Sequence, residues 1–183
     1  NVETSQCITD AIYGALNVMA GSQGTMNNFT FGDEQYQYYE TIAGGSGAGK
    51  IIHQDGREEL FPGTDVVQTH MTNSRLTDPE ILEFRYPVVL EEFSIRHGSG
   101  GVGKVNGGNG GTRRIRFLKP MTASILANRR RIAPFGALGA EDGEVGANYI
   151  ERATGQTEQL DSSASAEMQA GDVFVIQTPG GGG

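Results

Sequence analysis

The sequence has little cysteine, a deficit of positive charge and no long apolar run, and each shortage narrows what it can be. Cys7 is the only cysteine in 183 residues, so no disulfide can form within the chain, and a reducing, cytoplasmic setting is the expectation. Lys and Arg number 14 against 22 Asp and Glu, a net charge of -8. Gripping a phosphate backbone takes concentrated Lys and Arg, so no nucleic-acid partner is expected. No stretch approaches the roughly 20 apolar residues that crossing a bilayer requires, so no membrane partner is expected either. The three histidines, His53, His70 and His97, fall at no spacing typical of metal ligands, so the residues themselves spell no metal site. No period of 20–50 residues recurs, which excludes solenoids and propellers. The chain opens at Asn1 with no charged and apolar leader behind it. It therefore reads as a piece of a longer polypeptide, not an intact start or a signal peptide.

What remains is the composition of a globular unit, with 37% hydrophobic and 20% charged residues. Ile8, Ala11, Ile12, Ala15, Leu16 and Met19 recur at helical spacing and predict an amphipathic helix from Thr4 to Met19, capped by Thr4 or Ser5 and stopped near Gly21. Cys7, inside that pattern, is expected to be a small buried hydrophobe. Phe29 and Phe31, then Tyr36 to Ile42, predict short strands. Asp78-Pro79-Glu80 supplies a cap, a proline suited to a first helical position and an acid at the positive end, so a second helix starts there and stops before Pro87. Strands follow at Val88–Arg96, Thr112–Leu118, Thr122–Ala127, Asn148–Arg152 and Asp172–Gln177, separated by turn-forming residues. The fold class is α+β: an N-terminal helix and short strands, followed by a β-rich second half, a sandwich or an open barrel. Residues 1–86 form a helix-containing segment with the polar motifs and residues 87–183 a β-rich segment, within one compact unit.

The 28 glycines are about twice the usual share of roughly 7%, and they gather at Gly44–Gly49, Gly98–Gly111 and Gly180–Gly183. Each cluster is a tight turn or a loop pressed against a ligand or another chain, and the last reads equally as a flexible tail. Gly44 to Lys50 imitates a phosphate-binding loop, but Ile51 stands where a Ser or Thr would hold magnesium and no helix follows, so nucleotide is not expected there. Gly98 to Gly103 imitates a dinucleotide fingerprint and likewise lacks the helix.

The most reactive stretch is Gln68-Thr69-His70-Met71-Thr72-Asn73-Ser74-Arg75. His70 can move a proton near neutral pH, Asn73 can hydrogen-bond a carbonyl, and Arg75 can grip a carboxylate through its planar fork. Glu40, ahead of the first glycine cluster, is placed to act as a base or to orient His70. His70 and Glu40 are thus the candidate catalytic residues, with Asn73, Arg75, Asn27 and Asn28 the candidate substrate-binding ones. Asn1, Glu3, Thr4, Ser5 and Thr25 add further polar density, which caps and turns would use equally. Arg129-Arg130-Arg131 in a strand would put its outer two guanidiniums on one face, meeting an anion or simply solvent.

Several ordered runs together carry a resemblance: Asn1-Val2-Glu3-Thr4-Ser5-Gln6, Gln23-Gly24-Thr25-Met26-Asn27-Asn28, Tyr38-Tyr39-Glu40-Thr41-Ile42-Ala43-Gly44-Gly45 and Thr69 to Arg75. The glycine loops at 99–103 and 107–111, Ala133-Pro134-Phe135-Gly136 and the closing 178–183 run continue it. The chain resembles the hydantoinase B / 5-oxoprolinase family from end to end. The resemblance implies ATP-driven opening of a cyclic amide such as a hydantoin or 5-oxoproline, or, in relatives, carboxylation of a ketone. It implies a hydantoinase A-type partner that holds ATP, a divalent metal bound by an amino-terminal region outside these residues, and an oligomeric assembly. It assigns no role to any single residue, and an assembly or scaffold role without an active site stays open beside the enzymatic one.

Overall fold

The computed structural model describes residues 2–183. It opens with helix α1 (Val2–Ala15) and strands β1 (Asn28–Gly32), β2 (Gln37–Thr41), β3 (Gly49–Ile52) and β4 (Glu58–Phe61). Helix α2 (Pro79–Arg85) leads to β5 (Val88–Arg96), β6 (Gly110–Phe117), β7 (Met121–Leu126), β8 (Ala147–Glu151), β9 (Thr157–Leu160), β10 (Ser163–Met168) and β11 (Val173–Gln177). A four-stranded sheet runs β10-β7-β1-β2, a five-stranded sheet β5-β6-β11-β8-β9, and β3-β4 stands apart as a hairpin. The paired strands are antiparallel. This is the α+β arrangement read from the sequence, with a sandwich as its β-rich part. β1 of the first segment pairs with β7 of the second, so residues 1–86 and 87–183 share a sheet. No helix among the described residues is long and apolar enough to cross a membrane.

Alternation builds the core. Phe29 and Phe31 point inward from β1, Ala123 and Ile125 from β7, and Ile115 and Phe117 from β6, meeting Phe174 and Ile176 of β11. Phe29 stacks on Phe174 across the sheets at 4.8 Å between ring centroids, and Phe31 meets Phe117 edge-on at 5.4 Å. Each such ring, fully buried, contributes on the order of 1.5–3 kcal/mol. Helix α2 seals one end by burying Leu82, and it begins as its sequence demands: the Asp78 carboxylate accepts from Glu80 N at 3.0 Å and Pro79 takes the first turn.

The glycine clusters pack against one another. Gly181 N donates to Gly108 O, Gly108 N to Ser46 O and Gly101 N to Gly181 O, all at 2.8 Å. Gly45 N donates to Pro179 O and Ala48 N to Gly182 O, both at 2.9 Å. Residues 180–183, read as a possible tail, are buried in this layer. A Cβ on Gly45 would lie 1.9 Å from Gly108 O, and one on Gly181 1.9 Å from Ser46 O. Neither obstacle is a side chain that can swing away.

Four strands escaped the sequence reading. β10 is Ser-Ala-Ser-Ala-Glu-Met and β9 Thr-Glu-Gln-Leu, compositions with little strand preference of their own that are recruited by pairing with β7 and β8. The β3-β4 hairpin joins Gly-Lys-Ile-Ile to Glu-Glu-Leu-Phe.

Buried Asp172, at the turn into β11, accepts from Ala153 N at 2.9 Å, Gln169 N at 2.9 Å and Arg152 Nη1 at 2.8 Å. Burial works to raise its pKa, but these donors outweigh it and hold the carboxyl below the usual range. A depressed folded value gives stabilisation that is present above the unfolded pKa and is lost as pH falls through the folded one. Asp172→Asn is expected to lose about 1–3 kcal/mol at neutral pH, a deficit that shrinks below the ordinary carboxylate range, checked by denaturant titration at several pH values. Gly181→Ala is expected to lose stability or fail to fold in the same assay.

Candidate functional site

The candidate site is organised by the side of α1 that faces the protein, and that side is polar. The predicted apolar face, Ile8, Ala11, Ile12, Ala15 and Leu16, is exposed, whereas Gln6 and Asp10 are buried. The helix also ends sooner than its apolar spacing suggested. Val18 N bonds Tyr13 O and Asn17 N bonds Gly14 O, with Asn17 at φ 51°; this is a Schellman stop with Asn in the left-handed position, reached before Gly21.

Glu3, Gln6 and Asp10 form one stripe along the buried side. The Glu3 carboxylate accepts from Thr25 Oγ1 at 2.6 Å, Met26 N at 2.8 Å and Asn128 Nδ2 at 2.9 Å. Gln6 Nε2 donates to Thr69 O at 2.9 Å and Thr72 Oγ1 at 3.1 Å. Asp10 Oδ1 accepts from Ser22 N at 3.0 Å and lies 2.7 Å from His70 Nε2. The Asp10 and His70 side chains are 2% and 5% exposed. Asp10 Oδ2 is buried with no hydrogen bond among the described residues, and the Arg129 guanidinium stands 3.6 Å away. His70 occupies a left-handed backbone at φ 55° and meets the Tyr13 ring edge-on at 5.6 Å. Tolerating that conformation in a non-glycine residue costs free energy, which the surrounding bonds must offset.

The structure distributes the other candidates differently. Asn27 is buried: its Nδ2 donates to Gln23 Oε1 and Ile42 O, both at 2.9 Å, and its Oδ1 accepts from Arg130 Nη2 at 2.9 Å. Asn28 links Tyr39, whose hydroxyl donates at 2.7 Å, to Glu3 at 3.3 Å. Through these bonds Asn27 reaches the turn at residues 128–130 and Asn28 reaches α1, while His70 reaches α1 through Asp10. Glu40 is held elsewhere. Its carboxylate takes two parallel bonds from Arg113, at 2.7 and 2.8 Å, and a third from the Tyr38 hydroxyl at 2.8 Å. Since β2 and β6 belong to different sheets, Glu40 and Arg113 form a buried ionic tie across the sandwich, and Asp10, not Glu40, is the carboxylate on His70. Burial chiefly, with the Glu40 charge, pushes Tyr38 up to about 12. Asn73 and Arg75 are exposed.

The arginine run is a turn, not a strand: Arg129 has φ 56°, and Arg129 and Arg130 both point inward while exposed Arg131 pairs with Asp161 at 2.9 Å. Arg130 is bonded to the Asn27, Asn148 and Asn128 oxygens and, among the described residues, to no carboxylate. Burial pushes its guanidinium down to about 10, partly countered by the charge of Glu3. Cys7 is exposed, contrary to expectation, with Sγ 3.6 Å from Gly24 O; the partial burial of its thiol pushes it up, against the opposing charge of Arg129. Gln6 and Asp10 were missed by sequence reasoning. The signal was there, since polar residues at 3, 6 and 10 mark one helix face as clearly as apolar ones do.

No group of three or more His, Cys, Asp or Glu side chains could hold a metal among the described residues. The Gly44–Gly49 backbone is bonded within the glycine layer, and Lys50 pairs with Glu58 at 2.8 Å. A cleft of about 470 Å³ beside the β3-β4 hairpin, lined by Met19, Lys50, Leu60, Val102 and Leu138 among others, holds none of the candidate residues.

Fold and site together define an antiparallel sandwich with a polar seat for its amino-terminal helix and a layer of glycine backbone. The Hydantoinase B/oxoprolinase family matches residues 1–183, and the chain belongs to that family. It is 50% identical to a 5-oxoprolinase of Dictyostelium discoideum over 183 residues, 100% of this chain and 14% of that protein. Among solved structures, its fold is similar to an ATP-dependent caprolactamase from Pseudomonas jessenii, with TM-score 0.68 at 21% identity, covering 91% of this chain and 30% of that one. A nucleotide-free acetone carboxylase gives TM-score 0.63 at 16% identity, covering 88% and 25%. The chain thus spans a minor share of each of these proteins.

Removing Glu40 leaves the Arg113 guanidinium buried without its counter-ion. Glu40→Ala is expected to destabilise the fold by about 3–5 kcal/mol, measured as a lowered denaturant midpoint.

Proposed function

We propose that the chain is part of an ATP-dependent enzyme that opens a cyclic amide, with 5-oxoproline favoured over a hydantoin, and that His70 moves the proton in that reaction. Membership of the Hydantoinase B/oxoprolinase family and 50% identity to a 5-oxoprolinase support the reaction class. The observation that carries the site is the Asp10–His70 pair at 2.7 Å, both side chains nearly inaccessible. With the Asp10 carboxylate accepting from Nε2–H, the ring keeps its lone pair on Nδ1, the tautomer needed to take a proton from an attacking water. Asp10 is then a positioning residue that also stabilises the imidazolium once formed. Asn27 and Asn28 shape the polar wall beside it, while Asn73 and Arg75, exposed at the surface, are available to substrate or to neighbouring protein. ATP, the metal and a hydantoinase A-type partner belong to other parts of the larger enzyme. A scaffold role is the second reading, favoured by the commitment of Glu40 to Arg113 and by the self-packed glycine layer.

In the complete enzyme, His70→Ala is expected to lower kcat for ATP-dependent ring opening of 5-oxoproline by about 10²–10⁴-fold, measured at a temperature where circular dichroism shows the variant folded. Asp10→Asn is expected to lower kcat less and to shift the acidic limb of the pH–rate profile, which a merely structural role would leave in place. Wild-type kcat in His70→Ala would transfer the chemistry elsewhere and leave the scaffold reading. Bicarbonate-dependent turnover of a ketone in place of ring opening would make the enzyme a carboxylase.

A further inference from the structure

Helix α1 presents to solvent the side that ordinary folding would bury. Ile8, Ile12 and Leu16 are 53%, 52% and 64% exposed, and Ala11 and Ala15 beside them are exposed as well. The helix cannot roll to hide them. Glu3, Gln6 and Asp10 are fastened at three successive points of the opposite side, to Thr25, Thr69 and His70 among others. Rolling the helix would break every one of these bonds and expose or strand buried polar groups. Exposure of the stripe is therefore a fixed property of the fold, and a contiguous apolar strip that persists in this way marks an interaction surface.

We propose that this stripe is the seat of an apolar helix supplied by the same larger polypeptide, outside the region matched here. Three features select that occupant. The side chains at 8, 12 and 16 form one four-residue ridge with alanines alongside, the relief into which the ridge of a second helix packs. None of these five residues is charged, so the occupant's facing residues are neutral and apolar. Related proteins hold ample chain to supply it, since the matched region is 14% of the Dictyostelium 5-oxoprolinase and 30% of the caprolactamase chain. The inference rests on the reading of the chain as part of a larger enzyme, but not on its chemistry.

The test compares Ile8→Glu/Ile12→Glu in two settings, the 183-residue chain and the complete enzyme, by calorimetry and sedimentation. In the chain alone both positions face water, and Tm is expected to stay within about 2 °C of the parent. In the complete enzyme two carboxylates would be forced into an apolar contact, and Tm is expected to fall by on the order of 5 °C or more. Ile12→Ala is expected to move it the same way by less, which guards against a gross folding failure. Equal Tm changes in both settings would overturn the proposal. So would a chain that dimerises through the stripe, becoming monomeric in the variant, while the complete enzyme is unaffected, because a second copy would then be the occupant. Loss of ring opening in His70→Ala with the stripe result unchanged, or the reverse, separates the fate of this inference from that of the catalytic one.

Discussion

Where the backbones carrying Gly45, Gly108 and Gly181 come together, main-chain amides and carbonyls bond directly and no side chain intervenes. That contact is the constraint on which the remaining architecture depends. It draws together loops that follow β2, precede β6 and follow β11, and so fixes one end of the sandwich. It also sets the floor beneath α1: Gly182 N bonds Gly21 O, and Gly21 N bonds Phe135 O, so the loop at residues 20–28 that receives the helix is anchored to the layer. Such a layer has almost no hydrophobic content. Its cohesion comes from satisfied backbone groups in a space too narrow for anything but glycine, which is why it tolerates no compromise in composition.

On that floor the protein builds two buried charged arrangements of different character. Glu40 with Arg113 is saturated: three donors reach one carboxylate, and the pair ties the two sheets. Asp10 with His70 is not saturated, because one carboxylate oxygen has only a distant guanidinium for company and the imidazole retains an unshared nitrogen. Charged groups that serve stability alone approach the first condition; groups that take part in chemistry need the second, a capacity left in reserve. The same contrast explains why a catalytic reading passes from Glu40 to Asp10 once the side chains are placed, while His70 keeps its candidacy.

Much of the fold was legible. The strand at Val88–Arg96, the Asp78 cap and the alternation of Phe29 and Phe31 follow from local rules, and the structure matches them nearly residue for residue. β9 and β10 were not legible because Ser, Ala, Gln and Glu carry no strand signal, and only neighbours with unpaired edges make strands of them. In the site, His70 and the two asparagines were visible as dense polar content, but Asp10 was masked by Ile8, Ile12 and Leu16. The usual inference buries the apolar side of a helix. Here tertiary bonds to Glu3, Gln6 and Asp10 overrode it, and the rule failed where the protein has a surface to offer.

The glycine layer also has a consequence for the order of folding. Its members lie near residues 45, 108 and 181, so its bonds close loops of many tens of residues, and those that run through Pro179, Gly181 and Gly182 cannot form until that segment has been synthesised. Long loop closure without hydrophobic reward is slow. The sheets can condense early, but the layer is completed only with the last glycines, and until then the loop that seats α1 lacks its bond from Gly182 to Gly21. A nascent chain would thus expose its helix and the glycine segments together, and chaperone demand should concentrate in the interval between sheet formation and arrival of the last glycines.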